Sequence, residues 1–416
     1  MPKRTIPIGR LKVGMYLAGV DRSWLHTPFL RHRFLIKHES EITALWSAGI
    51  AEVVVDTELG LDPDSGSGEK QRPTPTPSGA TVENAPVPAS ECVSLPSERP
   101  SPVSLANNFS QANEKRKEWL NRTNALFEKT RATDLVEVGE VRQIVDDVME
   151  SLMERQAACL AVLGLRQTDP TLQEHGLTVC TLSLVLGKAL GLSDGAMKQL
   201  GIGAMLHDIG LTKLPHNIIK RPKTMAPAQQ ALYQTHTDLG IGVLQKSGAT
   251  ERDVISIVKG HHKFDKAPQD ASTPETGADP VKIVSTIDHY DELITGQTGL
   301  TPMSSNQALT QLYQHFRARP DWLPLVSSLI RVIGVYPLYS VVSLSSGEIG
   351  VVGAITPGKA HLPYLYICRD EHRHPCVPPK QVDLVQEPDG GRRVKEVQDP
   401  LQVGIDIEQV LKQVTA

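Results

Sequence analysis

The chain is short of cysteine, of aromatic residues, of net charge and of long hydrophobic runs, and most of these shortages remove a class of protein. Its five cysteines, Cys92, Cys159, Cys180, Cys368 and Cys376, are odd in number, scattered and free of any C-x-x-C pair. That argues against a disulfide framework or a thiolate zinc cluster and fits a reducing compartment. The stretch from Cys368 through His372 and His374 to Cys376 matches no zinc-ligand spacing and reads as a surface turn. Lys plus Arg number 43 against 47 Asp plus Glu, a formal charge of -4, so the overall balance gives no reason to expect a nucleic-acid polymer as partner. No signal-peptide core opens the sequence, and no segment approaches the ~20 apolar residues of a membrane span. A cytoplasmic location is the expectation.

A chain of 416 residues exceeds one ordinary core and predicts several domains. Residues 1–58 read as a small α/β module, with strands in "TIPIGRLKVGMYLA" and "EVVVDT" and with Ile42, Leu45 and Trp46 at helical spacing. Residues 59–105 are rich in Pro, Ser, Thr and Gly and bury too little apolar surface to offset chain entropy, which predicts a disordered linker. From 106 to 330 the apolar positions repeat at three- and four-residue steps, in "EVRQIVDDVMESLMERQAACLAVLGL", "DGAMKQLGIGAMLHDIG" and "PAQQALYQTHTDLGIGVLQ" among others. The β-branched runs flanking "SSGE" predict strands in a β-rich extension over 331–416. The fold class is mainly α: an all-helical bundle flanked by a small α/β module and a short β-rich element.

Within the helical region, polar residues recur in apolar surroundings: His175, His207, Asp208, His236, His261, His262 and Asp288. Each would be costly to bury unpaired, and their presence in separate helices calls for a shared explanation. Neutral imidazole and ionised carboxylate together ligate first-row divalent ions, and a helical bundle can aim them into one core. The adjacent pair His207-Asp208 diverges by ~100° on a helix, which suits a site of two ions with Asp208 between them. Two metals ~3.5–4 Å apart are the usual apparatus for in-line attack on a phosphate ester.

In order and approximate spacing, His175, "HDIG" at 207–210, His236, "HH" at 261–262 and "DHYD" at 288–291 resemble the HD-GYP domain, a branch of the HD phosphohydrolase superfamily that degrades cyclic di-GMP. The resemblance covers roughly 140–330, and the first 58 residues resemble the module of unknown function that often precedes this domain. It implies a metal-dependent phosphodiesterase opening cyclic di-GMP to pGpG and GMP, with a cyclic dinucleotide as ligand and signalling proteins as partners. The family's ligands fall on His175, His207, Asp208, His236, His261, His262 and Asp288. Trinuclear members carry a glutamate where Thr171 stands here, so two ions, Fe or Mn, are expected.

The signature loop departs from the family: "HHKFDKAPQD" replaces His-His-Glu followed by Asp-Gly-x-Gly-Tyr-Pro. Leu211 occupies the place of the lysine after HDIG, and Gln297, Gly299 and Leu300 replace basic and aromatic contacts. The expected substitutes for the lost positive charge are Lys213, Lys263 and Lys266, with Asp208 and Lys213 as catalytic groups and Asp291 as a further substrate contact. The competing reading is a degenerate domain that keeps its metal and serves as a nucleotide sensor or protein-interaction module.

Overall fold

The computed structural model describes residues 3–20, 34–36, 52–61, 102–154, 170–215, 225–249, 251–262, 278–296, 301–317, 321–356, 361–387, 391–400 and 402–414, with a few single positions between them. Most of the expected linker, the stretch 263–277 with Lys263 and Lys266, and residues 297–300 lie outside these. The chain divides into two compact units, 1–94 and 95–416.

In the first unit β1 (Lys3–Pro7), β2 (Tyr16–Val20), β3 (Phe34–Leu35) and β4 (Glu52–Asp56) form an antiparallel sheet in the order β1-β4-β2-β3. Alternation along the strands puts Ile6, Leu17, Val53 and Val55 in a core completed by Met15, Ile36 and Leu45. Trp46, placed with Leu45 by its spacing, is 58% exposed instead.

The second unit opens with α1 (Pro102–Thr133), 32 residues and so ~48 Å of helix. It begins inside the stretch that composition assigns to the linker, and Leu105 is already buried. A low-complexity run ends where apolar spacing starts, and Leu105, Phe109 and Ala112 begin that spacing. After it come α2 (Val138–Glu154), α3 (Leu172–Ala189), α4 (Asp194–Leu206) and a 3-10 turn (Ile209–Lys213). The bundle continues with α5 (Pro227–Gln234), α6 (His236–Lys246), α7 (Arg252–Gly260), α8 (Pro280–Thr295), α9 (Ser305–Phe316) and α10 (Leu323–Ile333). Helix α3 is buried on nearly every side, the mark of a central helix, and packs against α1, α2, α4, α8 and α10. The "PAQQALYQTHTDLGIGVLQ" periodicity, which reads as one helix, breaks at Thr235, whose Oγ1 donates to Leu232 O at 2.7 Å. The break places His236 at the start of α6.

A second antiparallel sheet follows in the order β8-β7-β6-β5-β9: β5 (Val341–Leu344), β6 (Ile349–Ala354), β7 (Tyr364–Arg369), β8 (Pro375–Asp383) and β9 (Val394–Gln398), with α11 (Ile407–Gln413) packed on it. The β5–β6 hairpin turns through Gly347 at φ +94° within "SSGE". The Cys368–Cys376 stretch is the β7–β8 hairpin, its tip held by Asp370 accepting from the amides of His372 and His374. Leu105, Ala106, Phe109 and Ala112 of α1 belong to this sheet's core, and Ser110 Oγ donates to Glu408 of α11 at 2.9 Å. Thus α1 runs from the sheet into the helical bundle.

Candidate metal centre

The polar residues that the sequence scatters across five helices meet at one place. His175 lies in the first turns of α3, which begins at a capping box: Thr171 Oγ1 accepts from Glu174 N, and the Glu174 carboxylate accepts from Thr171 N. Thr171 is therefore a helix cap. His207 and Asp208 follow the end of α4, His236 opens α6, His261 and His262 follow α7, and Asp288 sits in mid-α8. All are buried to 4% exposure or less except His262, which is partly exposed.

Three imidazoles are oriented by one local device. Each lies within two residues of a helix end and donates its Nδ1–H to the carbonyl three residues back: His207 to Ala204 at 2.7 Å, His236 to Tyr233 at 2.6 Å, His261 to Val258 at 3.0 Å. Carbonyls in a last helical turn lack intrahelical partners, so the ring satisfies one and its tautomer is thereby set. His175 Nδ1 donates instead to Asp291 Oδ2 at 2.7 Å. With these four Nδ1 atoms engaged, the Nε2 atoms converge: His207 on His175 at 3.2 Å, and His236 on His261 at 3.2 Å.

Asp208 stands between these pairs. Its Oδ2 lies 3.7 Å from His207 Nε2, while Oδ1 lies 3.2 Å from His236 Nε2 and 3.4 Å from His261 Nε2. Asp288 Oδ1 is 3.1 Å from His175 Nε2 and 3.7 Å from His207 Nε2. Two lobes result: His175-His207-Asp208, with Asp288 beside it, and Asp208-His236-His261-His262; Asp288 also converges with His207 and His261, across the two, and each set lies at metal-ligand spacing. A cation among these atoms would be held by Nε2 lone pairs and carboxylate charge together, and the donor set fits first-row divalent ions.

The electrostatics agree. Burial works against charge at His175, yet the Asp288 and Asp291 carboxylates hold its imidazole well above the ordinary range. Burial likewise opposes ionisation of Asp208 and Asp288, but the surrounding imidazoles keep both carboxyls well below theirs. In the other lobe, burial and the neighbouring His261 push His262 down to about 3. The cluster thus keeps Asp208 and Asp288 ionised, as ligands must be, and a bound cation would displace the proton that His175 holds.

Close packing brings the lobes together. A Cβ at Gly210 would overlap the His236 carbonyl and press on Gly240 N, so only glycine lets the 3-10 turn lie this close to α6. Gly176 similarly lets α3 approach the Met205 carbonyl at the end of α4.

Two residues stand otherwise than expected. Lys213 does not turn toward the cluster: its Nζ donates to Thr130 O at 2.7 Å and Arg131 O at 3.4 Å at the end of α1, and pairs with Asp134. A 3-10 turn eclipses residues three apart, and this one faces Lys213 toward α1. Asp291 is 1% exposed and accepts from His175 Nδ1, so that it backs a ring of the cluster. Its one-turn spacing from Asp288 on α8 was the available signal for that role.

A bundle of helices enclosing an H…HD…H…HH…D ligand set defines the class. The HD-domain family model matches residues 140–321, and one described as a domain of unknown function (DUF3391) matches 3–157. This chain carries an HD domain preceded by that module. It is 23% identical over 362 residues to a cyclic di-GMP phosphodiesterase of Pseudomonas aeruginosa, covering 84% of this chain and 81% of that protein. A cyclic di-GMP phosphodiesterase of Thermotoga maritima is 22% identical over 151 residues, 35% of this chain and 40% of the other. Among solved structures, the HDG"Y"P protein Bd1817 of Bdellovibrio bacteriovorus matches 79% of this chain and 98% of its own at 18% identity, with a TM-score of 0.43. Among the described residues no helix is long and apolar enough to cross a membrane.

Proposed function

We propose that the protein is a metal-dependent phosphodiesterase that opens cyclic di-GMP to pGpG and onward to GMP, using two ions, Fe or Mn, held by His175, His207, Asp208 and Asp288 on one side and by Asp208, His236, His261 and His262 on the other. The observation that carries this reading is the stance of Asp208, whose two oxygens face different lobes. Ions in those lobes would supply an activated water and neutralise charge on the phosphoryl oxygens. The chain's own residues orient the rings, Nδ1 donating at His175, His207, His236 and His261, and keep Asp208 and Asp288 ionised. Burial of all but His262 keeps bulk water from competing for the donor atoms, and leaves the side of His262 for the phosphodiester to approach. The names of the two relatives support the substrate.

The test is turnover of cyclic di-GMP by metal-loaded protein, with chromatography for pGpG and GMP and Asp208→Ala as control. Since loss of an outer-shell partner alone costs ~10–100-fold in metal affinity or activity, loss of this shared ligand is expected to cost more than ~100-fold. Protein that binds two ions yet yields neither product overturns the assignment.

A further inference from the structure

Lys213 is freed from the role its position suggests, and the structure gives it another. It closes the 3-10 turn that starts directly after Asp208, and its ammonium reaches the last turn of α1. There Thr130 O accepts from both Lys213 Nζ and Asp134 N, and Asp134, in a left-handed conformation at φ 60°, offers its carboxylate. The lysine thus satisfies terminal helix carbonyls and meets the negative end of the helix dipole. Asp134 is 55% exposed, so the ion pair alone contributes the ~0–1 kcal/mol of a surface pair, and the sheltered contact is the bond from the lysine, itself 16% exposed, to the Thr130 carbonyl.

Helix α1 is a fixed reference for such a clamp. Its first turns are embedded in the C-terminal sheet core, and Arg122 ties its middle to Glu140 and Asp147 of α2. It also meets the other ligand-bearing start: Arg116 lies 3.6 Å from Glu174, the residue before His175, and Phe127 lies beneath Gly176. We propose that Lys213 is a positioning residue that registers the Asp208 segment, and with it the shared ligand of the metal centre, against α1. This rests on the metal-centre reading given above.

The test compares full-length wild type, Lys213→Met, Lys213→Arg and, as a control for stability alone, Arg392→Met, which removes the pairs with Glu348 and Glu387 in the C-terminal sheet region. Three quantities are read: amide hydrogen exchange over 209–214 in metal-free protein, the Mn²⁺ dissociation constant by calorimetry, and kcat with KM for cyclic di-GMP. Lys213→Met is expected to speed exchange in that segment, weaken Mn²⁺ ~10–100-fold and lower kcat with KM within about twofold, as removal of an outer-shell support does. Lys213→Arg, keeping the donor and charge, should recover most of each. Arg392→Met should lower the melting temperature and leave exchange at 209–214 and Mn²⁺ affinity as in wild type. Wild-type behaviour of Lys213→Met, or equal losses in Arg392→Met, overturns the proposal. Exchange and Mn²⁺ effects without wild-type turnover of the dinucleotide would uphold Lys213 and sink the phosphodiesterase reading.

Discussion

The two lobes of the centre share Asp208 but are built on different chemistry. On one side, His175 and His207 are joined by two carboxylates, and a third, Asp291, stands behind His175. On the other, three imidazoles share one carboxylate, and His236 and His261 are backed only by peptide carbonyls. An anionic partner makes an imidazole a stronger electron donor than a neutral carbonyl does, so the first lobe suits a harder, more highly charged ion. The protein has arranged unequal halves around an oxygen pair that faces both.

The largest expected effect breaks the geometry of the comparison. Gly210→Ala drives a methyl group into the His236 carbonyl and pushes α6 off the turn after Asp208. Overpacking of this kind costs ~1–3 kcal/mol, and more where backbone must move. The second lobe should lose its ion while the first keeps one, so metal analysis is expected to give one ion per chain and thermal unfolding a lower midpoint. Two retained ions would mean the lobes are not joined through this contact.

Asp291→Ala sharpens the comparison from the other side. It strips His175 of its anionic backing and should weaken one of the two ions ~10–100-fold, with the other unchanged, as read by stepwise metal titration. Asp291→Asn, which keeps an acceptor but not the charge, should fall between.

A separate effect, on stability and not on bound metal, belongs to the metal-free protein. His262 is held neutral in the fold at about 3, whereas an unfolded histidine takes its proton near 6.5. Its folded value is depressed, so the unfolded state binds the extra proton as pH falls. Stability should therefore decline between pH 6.5 and about 3 by ~1.4 kcal/mol per unit from this group. Acid unfolding of His262→Asn should show a shallower slope over that window; an unchanged slope would put the proton elsewhere.

Much of this was visible in the residues themselves. Polar side chains in otherwise apolar helices, at His175, His207, Asp208 and Asp288, stand out because burial without partners is costly. The hairpin at "SSGE" stands out because glycine there turns with positive φ. What spacing does not carry is direction. Lys213 and Asp134 are far apart in the chain, and nothing local says that a 3-10 turn aims one at the other. Trp46 is spaced like a core residue and lies outside because the small sheet fills its core with Leu45, Met15 and Leu17. The strands β7 to β9 alternate weakly, and prolines in β8 suit an edge strand more than a recognisable apolar run.

The histidine-to-carbonyl bonds at Ala204, Tyr233 and Val258 bear on how the protein comes together. Each ring is fixed by a group three residues away, so it acquires its tautomer as soon as its own helix forms. Assembly is then the docking of parts whose donor atoms are already aimed, so that bringing the helices together completes the centre without any ring having to turn.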